Sequence, residues 1–259
     1  MLAAFGDAID ALGGRYITAE DVGMGEADMV AIAARTPYVT GLPVTDSSAA
    51  GGDPGPFTAK GVYLGIRAAV AQKLGRDDMN GVHVAVQGTG SVGGGAARLL
   101  AEAGARLSLA DVDSARAEAL ARDLEAETVS ADAIMDVECD VFSPNALGAI
   151  LDDTGIARLR APIVAGGANN QLARPEHGAK LAERGILYTP DYVINGGGII
   201  AVTMEYLARK DGHAGDVAKV HEAVEAIPGR LHAIWEEAAS SGRTPDVVAD
   251  AMAQRLIGR

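Results

Sequence analysis

The sequence predicts an α/β fold organised around a doubly wound parallel sheet, and three observations carry this. An apolar strand over residues 82–86 runs directly into Gln87-Gly88-Thr89-Gly90-Ser91-Val92-Gly93. An Ala- and Leu-rich helix over 95–103 follows the glycines. A second strand, 105–110, then ends on Asp111, 23 residues beyond Gly88. Strand, glycine turn, helix and terminal acid in this register are the Rossmann-type dinucleotide fingerprint in its required context.

The other elements follow in chain order from periodicity and punctuation. Residues 1–13 carry apolar side chains at helical spacing. Arg15-Tyr16-Ile17-Thr18 is short and β-prone, and 25–34 is again helical. Residues 36–56 are rich in Gly, Pro, Ser and Asp and read as a long loop, the kind that usually carries function or stays disordered. A long amphipathic helix spans 57–74 and stops near Gly75. The Rossmann unit runs from about residue 80 to 198, with later strands at 140–144, 162–166 and 187–189. Each of these ends in small or polar residues, and such carboxyl-end loops carry the ligand in open α/β sheets. From Ile199 onward the pattern is helical, with turns near Asp211-Gly212, Pro228-Gly229 and Ser241-Gly242.

Composition sets outer bounds. A chain of 259 residues with 48% hydrophobic content can bury a substantial core. A net charge of −13 argues against a nucleic-acid partner and against an anionic membrane surface. One cysteine, Cys139, precludes an internal disulfide and suits a reducing cytoplasm. No signal-like N-terminus is present, and no apolar run approaches the roughly 20 residues of a membrane span.

The fingerprint also carries chemistry. Gly88 permits a tight turn, Gly90 lets the backbone approach a pyrophosphate, and Gly93 lets helix and strand pack closely. Thr89, Ser91 and Val92 complete the cradle, with the helix N-terminus supplying N–H donors and a partial positive charge. Asp111 can hydrogen-bond the adenosine ribose diol and would repel a 2′-phosphate, so NAD is expected rather than NADP.

Four further segments stand in order. They are Gly14-Arg15-Tyr16-Ile17-Thr18-Ala19-Glu20-Asp21-Val22-Gly23, Pro56-Phe57-Thr58-Ala59-Lys60-Gly61-Val62, Gly167-Ala168-Asn169-Asn170-Gln171-Leu172 and Pro190-Asp191-Tyr192-Val193-Ile194-Asn195-Gly196-Gly197-Gly198. Together with the fingerprint they resemble the leucine/valine/phenylalanine dehydrogenases, within the glutamate dehydrogenase superfamily. The resemblance implies reversible NAD-dependent oxidative deamination of an L-amino acid to a 2-oxo acid and ammonia. It implies an active site in a cleft between substrate and cofactor domains, and assembly into a homo-oligomer. Asp21 then matches the acidic residue that moves protons, and Asn195 an asparagine near substrate and nicotinamide. Thr58 matches a threonine on the nicotinamide side, Asn169 and Asn170 the asparagines near the nicotinamide ribose, and Ala146 and Leu147 an apolar stretch along the cofactor cleft.

Plainer readings exist for the same residues. Asp21 and Thr58 could be helix-start residues, Asn195 a turn residue at a strand end, and Asn169-Asn170 a helix cap. Cys139 reads as a buried apolar residue. The five histidines show no metal-ligand spacing, so no metal is expected. A Tyr206-x-x-x-Lys210 pair exists but lacks the context of a short-chain dehydrogenase.

The resemblance further implies a substrate domain ahead of the segment matching Met1, holding a Gly-rich loop with two functional lysines. None of Lys60, Lys73, Lys180, Lys210 and Lys219 stands in such a setting. Residues 1–75 are therefore expected to be the remnant of a truncated substrate domain with its connecting helix. The NAD-binding domain is expected over 76–200, and C-terminal helices over 201–259 that pack back on the substrate side. Whether the chain is a fragment, a mis-started frame or a natural short form is left open by its sequence. The alternative function is a catalytically silent NAD-binding homologue that acts as a partner or regulatory subunit.

Overall fold

The computed structural model describes residues 1–21, 23–46 and 48–258. Val22, inside one of the quoted motifs, lies outside the described residues. The chain opens with α1 (Leu2–Asp10), shorter than its apolar spacing predicts because Gly13 and Gly14 turn it with φ of 57° and 80°. Asp28 accepts from the Gly25 amide at 3.0 Å and so caps α2 (Glu26–Ala33). The expected loop contains β1 (Ala49–Ala50), and Asp53 opens α3 (Gly55–Leu74) by accepting from the Gly55 amide at 2.7 Å. Next come β2 (His83–Gln87), α4 (Ser91–Glu102), β3 (Arg106–Ala110), α5 (Ser114–Leu124) and β4 (Glu127–Thr128). They are followed by β5 (Val141–Pro144), α6 (Asp153–Arg158), β6 (Ile163–Val164), α7 (Glu176–Glu183), β7 (Leu187–Tyr188) and α8 (Asp191–Ile194). The chain closes with α9 (Gly197–Lys210), β8 (Gly215–Asp216), α10 (Val217–Glu225), α11 (Ile227–Ser241) and α12 (Pro245–Ile257).

Several sequence expectations shift. Helix α4 starts at Ser91 rather than residue 95, so it contains the glycines that the propensity reading left outside. The β-prone segment 15–18 contributes only an isolated bridge, Thr18 to Val39. Asn195 does not end a strand. It follows α8, a single helical turn in which Pro190 O accepts from both the Val193 and Ile194 amides at 3.1 Å. The β-branched pair Val193-Ile194 misleads here because that turn is fixed by Pro190 and Asp191. Asn169-Asn170 do not cap a helix, since α7 begins only at Glu176, behind Pro175. Residues 201–259, grouped together by their helical pattern, divide at Val224 and Glu225 between two compact units.

The first unit is Met1–Phe57 with Gly197–Val224. Met29, Ile32 and Val39 are buried together, with Leu2, Met24 and Leu42 against them. β1 and β8 pair antiparallel, Ala49 opposite Asp216. Glu205 of α9 is buried and accepts from the Gly41 amide at 2.8 Å. Its neighbour one turn on, Arg209, faces it at 3.3 Å and donates to the carbonyls of Pro37 and Val39. Helix α9 thereby holds residues 37–42 against itself. Burial pushes the Glu205 carboxyl up, and the Gly41 and Leu42 amides pull against that push.

The second unit is Thr58–Gly196 with Glu225–Arg259. Among the described residues its sheet has the order β4-β3-β2-β5-β6-β7, parallel throughout. The chain winds outward from β2 through β3 to β4, then returns to place β5 on the other side of β2. The switch point therefore lies between β2 and β5. Val84, Ala85 and Val86 are fully buried, as expected of a strand covered on both faces. Helices α11 and α12 meet through Ile234, Ala238, Val248 and Ala249. Trp235 of α11 is buried and donates from Nε1 to Tyr188 O at 3.3 Å. Gly65 of α3 lies so close to α8 that a Cβ there would sit 2.3 Å from Ile194 Cγ1. Among the described residues, no helix is long and apolar enough to cross a membrane.

Gly65→Val is expected to cost about 1–3 kcal/mol through overpacking against Ile194. The expected reading in thermal unfolding is a lower Tm, with a folded baseline retained at 25 °C.

Candidate functional site

The carboxyl ends of β2 and β5 meet through backbone. Gly88 follows β2 with φ of 87°, and a Cβ there would lie 2.9 Å from the Ala146 nitrogen and the Asn145 carbonyl. Gly93 is tighter still, since its Cβ would stand 2.0 Å from Gly88 O. Gly90, the residue that caps α4, differs: a Cβ there would meet nothing within 4 Å. Two glycines are thus required by packing, and the third faces open space beside the helix N-terminus. The first-turn amides of α4 have no acceptor within the helix, so this open side offers donors to an anion.

Asp111, at the carboxyl end of β3, is tied to the same turn. Its Oδ2 accepts from the Thr89 amide at 2.7 Å and the Thr89 hydroxyl at 3.0 Å. Its Oδ1 accepts from the Asp113 amide at 2.9 Å and from Arg116 Nη2 at 3.1 Å. The side chain is only 6% exposed. Burial pushes its carboxyl up, but these donors together outweigh burial and hold it below the usual carboxylate range. Two apolar side chains stand in solvent at this rim, Val112 after β3 at 94% exposure and Leu147 after β5 at 82%. The sequence signal for Val112 is its position directly after the terminal acid.

The loop after β6 forms the other wall. Asn145 donates from Nδ2 to Ser143 O at 3.0 Å and accepts from the Gly167 amide at 2.8 Å, so it bridges the ends of β5 and β6. Gly148 would place a Cβ 2.3 Å from Asn169 O, and the Ala149 amide donates to Asn170 O at 2.7 Å. The Ala146-Leu147 loop and the Asn169-Asn170 turn are therefore in contact. Asn170 takes φ of 53°, a left-handed conformation that asparagine tolerates. Asn195 donates from Nδ2 to Gly167 O at 3.1 Å and to Asn169 Oδ1 at 2.6 Å. The structure adds Gln171 and Asp191, to which the sequence assigns no role. Buried Gln171 donates to the carbonyls of Gly166 at 2.7 Å and Ala168 at 3.0 Å, and its amide donates to Asp191 Oδ2 at 2.8 Å. They lock the loop carrying Asn169 onto the segment carrying Asn195.

Thr58 lies in the first turns of α3, one residue before Ala59, whose Cβ stands 2.8 Å from where a Gly95 Cβ would be. Asp21 belongs to the first unit. It is not a helix-start acid: its carbonyl accepts from the Met24 amide at 3.0 Å in a turn, and α2 begins only at Glu26. Burial pushes the neighbouring Glu20 carboxyl up, helped by the charges of Asp53, Glu26 and Asp28. Lys73 donates to Gly185 O at 2.8 Å, Lys180 pairs with Asp153, and Lys60 lies 5.5 Å from the Tyr63 ring centroid. Burial pushes the Cys139 thiol up to about 11, which makes it no nucleophile. His83 is buried, 2.8 Å from Ser108 Oγ. Among the described residues, no group of His, Cys, Asp and Glu could hold a metal.

This donor set fits a dinucleotide: an open glycine cradle, a fixed carboxylate one strand away, and apolar side chains at the rim. Asp111 also bears on stability. A depressed carboxyl stabilises the fold fully above the usual carboxylate pKa and loses that contribution as pH falls through the depressed folded value. Asp111→Asn is therefore expected to be less stable than the native chain at pH 7, with the gap closing in acid. Urea unfolding across pH reads this.

A family model described as Glutamate/Leucine/Phenylalanine/Valine dehydrogenase matches residues 109–256. Leucine dehydrogenase of Thermoactinomyces intermedius is 43% identical over 99% of this chain and 68% of its own length. L-tryptophan dehydrogenase of Nostoc punctiforme is 40% identical over 99% of this chain and 70% of its own. The crystal structure of L-tryptophan dehydrogenase from Nostoc punctiforme superposes with a TM-score of 0.82 at 39% identity, covering 99% of this chain and 71% of that one. Hetero-hexameric glutamate dehydrogenase from Thermus thermophilus, 23% identical, shares the fold with a TM-score of 0.76 over 96% of this chain and 65% of that one. The chain spans about two thirds of the length of these relatives. Matched by the family model and aligned along nearly its full length with such relatives, the chain belongs to the glutamate/leucine/phenylalanine/valine dehydrogenase family.

Proposed function

We propose that this chain is a cytoplasmic enzyme that oxidatively deaminates a branched-chain or aromatic L-amino acid to the 2-oxo acid and ammonia, with NAD as coenzyme. The observation that carries this is the Asn195–Asn169 hydrogen bond beside the glycine cradle. It occurs in a chain whose relatives are named leucine, tryptophan and phenylalanine dehydrogenases. No observation favours the silent, regulatory alternative.

The second unit supplies the coenzyme site. Gly88, Thr89, Gly90, Ser91, Val92 and Gly93 would take the pyrophosphate on backbone amides. Asp111 would accept from the ribose diol, and Val112, Ala146 and Leu147 would shield the adenine. Thr58, Asn169 and Asn170 would line the nicotinamide side. Bound there, NAD would supply the two-electron oxidising power for the substrate Cα–H bond.

The chain's own residues would do the rest. Asn195, held by Gly167 and Asn169, would orient the substrate so that little freedom is lost at the reacting centre. Asp21 would take a proton from the substrate amino group and later pass protons between the attacking water and the leaving ammonia. Residues 1–57 and 197–224 would belong to the substrate domain. Assembly as a homo-oligomer belongs to the same reading; sedimentation velocity giving a mass above that of one chain supports it, and the mass of a single chain overturns it.

The test is NADH formation from L-leucine, L-valine, L-phenylalanine and L-tryptophan. Turnover by this chain, or by a form extended to the length of its relatives, supports the proposal. No turnover by either overturns it. Asp21→Asn is expected to lower kcat by about 10²–10⁴-fold, with the Kd for NAD unchanged. Asn195→Ala is expected to lower kcat/KM more than it weakens NAD binding, which stopped-flow fluorescence separates from turnover.

A further inference from the structure

Arg116 has no part in the reaction described above, yet it touches the residue that would hold the coenzyme ribose. It lies in the first turn of α5, three residues beyond the cap Asp113. Its Nη2 stands 3.1 Å from Asp111 Oδ1 and 3.8 Å from Asp113 Oδ2, and its side chain is 48% exposed. The other Asp111 oxygen is already taken by the amide and hydroxyl of Thr89. Arg116 is therefore the cation that meets the outward side of this carboxylate.

We propose that Arg116 is a specificity-determining residue: a 2′-phosphate receptor masked by Asp111, so that the charge at position 111 excludes NADP. This rests on the reading that the crevice binds NAD.

The argument is one of competition for a single guanidinium. Arginine binds phosphate through paired N–H donors, and a dianionic phosphate is a better partner than one carboxylate oxygen. Asp111 blocks that exchange in two ways. It occupies Nη2, and its own charge, largely sealed from water, would repel a phosphate on the ribose it serves. With a neutral residue at 111 the repulsion ends and the guanidinium is released. Its long, half-exposed side chain can then follow a phosphate. The N-terminus of α5, an 11-residue helix, adds a favourable field for the anion. Asp113 works against the phosphate, but it is 54% exposed and its Oδ1 accepts from the Arg116 amide at 3.2 Å. Solvent screens it, so it weakens binding without forbidding it.

NAD and NADP differ only in the 2′-phosphate, so calorimetric titration of both into the whole chain is the test. The native chain is expected to bind NAD tighter than NADP. Asp111→Ser is expected to tighten NADP by about tenfold or more, the scale of one charge-assisted contact. That gain should weaken steeply with added NaCl. In the double variant Asp111→Ser, Arg116→Ala, NADP affinity should fall back to within about threefold of the native value if Arg116 supplies the contact. Asp111→Asn, which keeps the side-chain shape, is titrated in parallel so that a folding defect in one variant does not hide the answer. Circular dichroism melts verify that each is folded.

The proposal is overturned if folded variants neutral at 111 gain no NADP affinity, or if the gain survives intact without Arg116. A native chain that binds neither dinucleotide would instead remove the NAD reading underneath, and this inference with it.

Discussion

Helix α4 can begin at Ser91 only because residues 88 and 93 carry no side chain. A single methyl at Gly93 would overlap the Gly88 carbonyl at 2.0 Å, and one at Gly88 would press on the backbone of Asn145 and Ala146. The helix start, the turn after β2 and the loop after β5 therefore form one contiguous piece of backbone. Everything at the crevice is referenced to it. Asp111 is fixed by Thr89 of that turn, Asn145 extends it to β6, and Gln171 with Asp191 carries it on to Asn195. A site assembled this way rests on a glycine turn fixed by main-chain contacts and on side chains whose rotamers are locked by hydrogen bonds to backbone.

That stiffness comes with buried polar groups, and the carboxylates among them titrate according to the partners they find. Asp111 and Glu205 show the two outcomes. At Asp111 four donors outweigh burial, and the carboxylate stays charged. At Glu205 burial wins against the amides of Gly41 and Leu42 and the nearby Arg209, so the carboxyl is held up. The first fixes a ligand-facing turn in the second unit. The second fixes residues 41–42 in the first, beside Arg209, which holds Pro37 and Val39. In both, a side chain from one element organises backbone from another, so loss of the carboxylate would release a loop rather than a single contact.

Much of this was legible in the sequence because it is local. The strand, glycine turn, helix and acid around residues 82–111 carry their own punctuation, and the observed elements match to within a few residues. What escaped depends on distant partners. Helix α8 reads as β from Val193 and Ile194, but Pro190 and Asp191 close a helical turn. The roles of Gln171 and Asp191 are invisible because they arise between segments 20 residues apart. Arg116 reads as an ordinary helix residue until β3 delivers Asp111 beside it. Helix propensity places the start of α4 late because it penalises glycine, whereas the tertiary contact demands it.

The chain has one tryptophan, and it is Trp235. Buried in the second unit with its indole bonded to Tyr188, it gives the molecule a single strong emitter reporting on one unit only. Emission from this indole will follow the melting of the parallel sheet and its covering helices. A spectrum that shifts after the circular dichroism signal has begun to fall would reveal two units that come apart separately, with no label attached.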